Sequence, residues 1–152
     1  MDSGLAAAWQ VHAAIHVRLL DALGEDALEA TLAKGKSVRT LFAHTHNVRR
    51  QWLEPSAPAL AAKLPKLDTK APVATATLRA ALVASGAAVT ELFVSAAATE
   101  KIKNIALPPA VFLAYLVSHE SHHRGQIGYT LKNSGHPLSK EDAYGLWEWR
   151  SR

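Results

Sequence analysis

The sequence has no cysteine. That absence excludes disulfides, thiolate metal sites and a cysteine nucleophile, and it removes the usual mark of a small secreted scaffold. Long hydrophobic runs are scarce. The apolar stretches are broken by charge, Thr or Pro before the roughly 18 residues that a membrane span needs, so no membrane partner is expected. The N-terminus, MDSGLAAAWQVHAAIHVRLL, lacks a basic region ahead of its apolar part and reads as a helix and not a signal peptide, which points to a cytoplasmic chain. Charge of one sign is only slightly in excess, with 17 Lys+Arg against 13 Asp+Glu. The excess is dispersed, apart from Arg49–Arg50 and the Arg150/Arg152 pair, and no basic stripe interleaves with stacking aromatics, so no nucleic-acid partner is expected. Alternating runs of β-branched residues and internal repeats are also missing, which leaves an all-α chain.

What is present fits one helical domain over residues 1–152. About half of the residues, 49%, are hydrophobic, enough for a core that needs no covalent staples. Ala and Leu dominate, and both favour helix. Ser3 and Gly24 bracket a first long helix from about Ser3 to Leu23, and a short helical piece follows from about Glu25 to Ala33. Ser37 caps a second long helix that runs to about Leu53, with an apolar stripe of Val38, Leu41, Val48 and Trp52. Pro55, Pro58, Pro65 and Pro72 then interrupt a long connection. A third long helix covers about Thr75 to Ala97. The fourth starts behind Pro108-Pro109, where proline is tolerated, and runs to Asn133 before Gly135 and Pro137. Trp52, Tyr144, Trp147 and Trp149 read as packing residues. Four long helices with one link of about twenty residues between the second and third predict a four-helix bundle with a crossover.

Eight histidines are many for this length, and their positions carry the chemistry. His119 and His123 lie one turn apart on the fourth helix, in the sector shared with Phe112, Tyr115, Leu116, Gln126, Ile127 and Thr130. Two imidazoles at this spacing reach one ion. His122 lies to the other side of His119 and reads as a rim group able to stand in for His123. On the second helix, His44 falls on the Leu41/Val48 stripe and His46 on its flank, so His44 is preferred as the third ligand. Three imidazoles without thiolate suit zinc, nickel, cobalt or iron, and the residue set does not choose among them; zinc or nickel is the expected ion, with iron, cobalt or manganese as alternatives, and coordination positions are left open. Gln126 reads as a partner for bound water or substrate, or as filler for a polar gap. Glu120, about 100° round from His119, reads as a surface or interface residue before a general base. His12 and His16 form a second i, i+4 pair, read as core histidines.

The segments GKSVRTLFAHTHNVRRQWL (35–53), SHESHHRGQI (118–127) and YGLWEW (144–149) resemble the DinB/YfiT-like family of metalloenzymes. The resemblance is specific in the second and fourth helices and vaguer in the first and third. It implies an up-down-down-up four-helix bundle. It also implies a divalent metal held by His44, His119 and His123, a position for His16 beside that site, and a homodimer. The family includes transferases that use low-molecular-weight thiols and a thiol-dependent isomerase. The function expected is therefore a metal-dependent transfer of such a thiol to a small electrophile. A metal-dependent hydrolase and a non-catalytic, damage-inducible metal-binding protein are the alternatives.

Overall fold

Helix-forming segments punctuated by glycine and proline give helices and, among the described residues, no strand. The computed structural model describes residues 4–150. Its elements are α1 (Gly4–Asp21), α2 (Glu25–Glu29), α3 (Val38–Ser56), α4 (Pro58–Ala61), α5 (Thr75–Thr99), α6 (Pro109–Asn133) and α7 (Lys140–Gly145). The expected cap Ser3 lies outside the described residues.

The starts and stops have local causes. Ser37 Oγ accepts the Thr40 amide at 3.2 Å and begins α3. Pro109 occupies the first turn of α6, where no intrahelical N–H is required. Gly135, with φ 85°, takes the left-handed turn just beyond α6. Four boundaries differ from expectation. α1 ends at Asp21 and not near Leu23. α2 ends at Glu29 and not near Ala33, which itself sits at φ 48°. α3 continues past Leu53 to Ser56, because Pro55 falls in its last turn and costs at most one terminal hydrogen bond. α5 continues past Ala97 to Thr99 and closes on a left-handed Glu100, φ 54°.

α1 and α3 each pack against both α5 and α6. On the α1–α5 side, Trp9 Nε1 donates to Gly86 O at 2.9 Å, and Arg79 pairs with Asp21 at 2.7 Å. A Cβ on Gly86 would sit 3.3 Å from Ala13 Cβ, so glycine lets these two helices approach. α3 meets α5 through Arg39 and Thr75 and through Arg49 and Leu82, and it meets α6 through Trp52 and Phe112. Two apolar clusters form the core. Leu20, Leu28, Phe42, Leu82 and Leu131 belong to one, and Trp9, Leu53, Phe93, Phe112 and Leu116 to the other. Between them along the helices lies a buried polar layer of His12, His16, Arg49, Ser85 and Glu120.

That layer rotates the expected stripes. The buried face of α6 is Phe112, Leu116, Glu120, Ile127 and Leu131, so Glu120 is a core residue at 1% exposure and not a surface one. His119, His123, Tyr115 and Gln126 lie at the edge of that face or outside it. On α3 the buried line is Phe42, His46, Arg49 and Leu53, while His44, Val48 and Trp52 flank it. Tyr144, Trp147 and Trp149, expected to pack, are exposed, Trp147 by 75%. The reading of every apolar stretch as too short also needs correction: α5 is long and apolar enough to cross a membrane by length and composition, although half of its most apolar window is buried inside the fold.

Candidate metal centre

His44, His119 and His123 converge where α3 flanks α6. One ligand atom from each lies within 4.8 Å of the others. The His44 ring is 4.6 Å from that of His123 and 5.6 Å from that of His119, centroid to centroid. The Nε2 atoms of His119 and His123 are 3.1 Å apart, close to the separation of about 3.3 Å that two nitrogens adopt around a tetrahedral zinc ion. His123 Nδ1 donates to Gln126 Oε1 at 2.8 Å, which leaves the Nε2 lone pair turned toward its neighbours. Burial first, and then the proximity of His123, Lys36 and His119, lowers the His44 pKa to about 4. Burial, followed by His123, also lowers that of His119. At neutral pH both rings are therefore neutral, as metal ligands must be. His119 Nδ1 is buried without a hydrogen-bond partner. The three residues fit a divalent ion in donor type and spacing, and His44 and His119 fit it in protonation as well.

The other predicted site residues fall in different places. His122 is exposed, its ring 5.1 Å from that of His123. Gln126 is exposed and is held by His123. His46 is fully buried between two carbonyls, Ala81 O at 2.9 Å and Pro65 O at 2.6 Å, and so fastens α3 to α5 and to the connection. His16 stands with His12 and Glu120 in the polar layer.

That layer is the second cluster of potential ligands, His12, His16 and Glu120, all buried. Arg49 belongs to the Arg49–Arg50 basic pair noted in the sequence. It is 0% exposed and binds Glu120 through Nε–Oε1 at 2.6 Å and Nη2–Oε2 at 2.8 Å, while its Nη1 donates to Leu82 O at 3.0 Å. Its guanidinium also lies 5.1 Å over the Trp9 ring. His12 Nε2 donates to Glu120 Oε2 at 2.9 Å. Burial alone would raise the Glu120 pKa, but the charge and hydrogen bonds of Arg49 hold it well below the carboxylate range. Burial lowers His16 to about 3, and neither of its ring nitrogens has a hydrogen-bond partner. A cation here would share its single carboxylate with a buried guanidinium, leaving its own charge uncompensated. The arrangement is that of a structural ion pair. A signal for Glu120 and Arg49 existed in the spacing: Phe112, Leu116 and Glu120 recur every four residues, as do Arg49 and Leu53.

An all-helical chain with an edge-set cluster of three convergent imidazoles defines a class of helical proteins with a candidate metal centre. Within that class, the model of the DinB family matches residues 2–151, nearly the whole sequence, and the chain belongs to the DinB family. Comparisons with curated proteins and with solved structures give no match.

Proposed function

We propose that the chain is a metal-dependent enzyme that joins a low-molecular-weight thiol to a small electrophile. The observation that carries this reading is the convergence of His44, His119 and His123 within 4.8 Å. Three protein donors leave further positions of a divalent ion free for a small molecule. A bound divalent ion would supply Lewis acidity, lowering the pKa of a thiol or water placed against it. The chain's own residues do the rest. His44 and His119 present lone pairs without first losing protons, because burial keeps them neutral. Gln126 fixes the tautomer and tilt of His123. The cavity beside His123 and Gln126 gives a small molecule a way to the centre.

The same reading takes α1, α3, α5 and α6 as an up-down-down-up four-helix bundle. Residue pairing supports it. Trp9 and Asp21 of α1 meet Gly86 and Arg79 of α5 in reverse order. Arg39 and Arg49 of α3 meet Thr75 and Leu82 of α5 in the same order. Arg49 and Trp52 meet Glu120 and Phe112 of α6 in reverse order. The connection between α3 and α5 is long enough for the crossover that parallel neighbours need.

The test is a panel of electrophiles offered to untagged, zinc-loaded protein with and without several small thiols. Conjugation that requires the thiol and vanishes in His123→Ala is the expected result. Turnover that persists without thiol would replace transfer by hydrolysis at the same centre.

A further inference from the structure

The candidate centre opens onto a cavity of about 430 Å³. His123, Gln126, Tyr129 and Thr130 of α6 form one wall, and Leu41 of α3 contributes an apolar patch. The opposite wall is the segment between α2 and α3, and it brings Lys34 and Lys36 to the cavity. No carboxylate lines it. Neither lysine has an ion-pair partner among the described residues. Both lysines thus line the cavity without a carboxylate partner, and Lys36 is near enough for its charge to act on His44.

The backbone that carries the lysines is held in shape. Gly35 N donates to Leu32 O at 2.8 Å, and Thr31 Oγ1 donates to Gly35 O at 2.8 Å. A Cβ at position 35 would come within 2.9 Å of Leu32 O, so the turn requires glycine there. Ala33 accepts a left-handed φ of 48° within the same turn. Two lysines on a free loop would be an ordinary solvated surface. Two on a pinned turn, lining a cavity that reaches the centre at His123 and has no carboxylate in its wall, form a one-sided positive field.

We propose that this cavity binds a small molecule bearing a negative charge, a carboxylate or a phosphate, with Lys34 and Lys36 holding the anionic group while the rest of the molecule reaches the His44–His119–His123 centre. This rests on the reading of that centre as the place where small molecules bind, and it adds their charge. An ammonium is a compact point charge and suits either anion. The remaining lining, Leu32, Leu41 and the Tyr129 ring, suits an uncharged body of a few carbons.

The experiment uses cobalt-loaded, untagged full-length protein. Its absorption spectrum reports thiol binding at the centre, and backbone amide NMR of the zinc-loaded form reports anions at the turn. The probes are 3-mercaptopropionate, 2-mercaptoethanol, propionate and inorganic phosphate. The expected result is that 3-mercaptopropionate binds roughly tenfold more tightly than 2-mercaptoethanol, the scale of two part-exposed charge pairs. That preference shrinks at high salt and collapses in the Lys34→Gln/Lys36→Gln double variant. Propionate or phosphate shifts the amides of residues 34–36, and the stronger of the two tells which anion the turn prefers. Equal affinity for the two thiols, or a preference that survives the double variant, overturns the proposal and leaves the thiol reading intact. Anion shifts at the turn that are lost in the double variant, with no spectral response to either thiol, have the opposite meaning: the anion site stands and the thiol reading falls.

Discussion

His119 and Glu120 are neighbours in sequence, yet about 100° of helix rotation sends them to two different histidine clusters. Glu120 joins His12, His16 and Arg49 in the buried layer between the two apolar cores. His119 joins His44 and His123 at the half-buried edge, beside a cavity. The inner cluster has a carboxylate, and a guanidinium already neutralises it. The outer cluster has no carboxylate, its donors converge, and burial lowers the pKa of His44 and His119. Burial and the presence of a carboxylate alone would have favoured the inner cluster as the metal site. What separates the two is whether the donors are already taken: charge pairing closes the inner cluster, and its absence leaves the outer one available.

The largest expected effect comes from opening the inner cluster. Glu120→Ala strands a fully buried guanidinium, and removing one partner of such a pair costs about 3–5 kcal/mol. Urea titration of metal-free protein should show that loss. His123→Ala, at the half-exposed edge, should stay within about 1 kcal/mol of the parent. Comparable losses in the two variants would erase the distinction between structural and functional clusters.

Next in size is the support of the outer cluster. Gln126→Leu removes the acceptor that orients His123, and loss of such a partner weakens metal binding about 10–100-fold. Competition with a chromogenic chelator measures this. An unchanged affinity would mean that His123 is oriented by packing alone.

The smallest effect is in the pH dependence of the inner cluster. His16 has a pKa of 6.5 when exposed and about 3 when folded. Between those values the unfolded chain takes up a proton that the folded chain refuses, so stability falls as pH drops from about 6.5 toward 3. Glu120 adds to the same trend below the ordinary carboxylate range, because its folded pKa is also depressed. His16→Leu should give a shallower decline in urea-denaturation stability between pH 7 and pH 5. An identical slope in variant and parent would show that His16 does not carry the dependence.

Much of this was legible in the sequence. Pro109 and Asn133 bound α6 as read, and Ser37 caps α3 as read. Proline and glycine placement is local chemistry, and it survives folding. The faces of the helices were less legible. The sector shared by His119, His123, Phe112, Leu116 and Ile127 read as the core stripe of α6, and Glu120, about 100° round from His119, fell outside it. Pairing with Arg49 reverses that reading for Glu120, and the pairing joins residues 71 apart in sequence. For the same reason Arg49 stood out only as half of a basic pair, and His46 read as a flank residue, before α5 and the connection supplied carbonyls for its ring. The exposed Trp147 and Trp149 stack on each other with ring centroids 6.3 Å apart, a pairing that needs no core. Periodicity reports a buried arc only when its residues are apolar, and here a charged layer runs through the middle of the core.

The contrast between the two clusters is tested most directly by counting metal. Untagged protein is stripped, reloaded with zinc, desalted and analysed for metal per chain, alongside His119→Ala and His12→Ala. The account predicts one ion per chain in the parent, none retained in His119→Ala, and one in any His12→Ala protein that remains folded by circular dichroism. An ion that survives His119→Ala but is lost in folded His12→Ala would place the metal in the inner cluster and contradict the account.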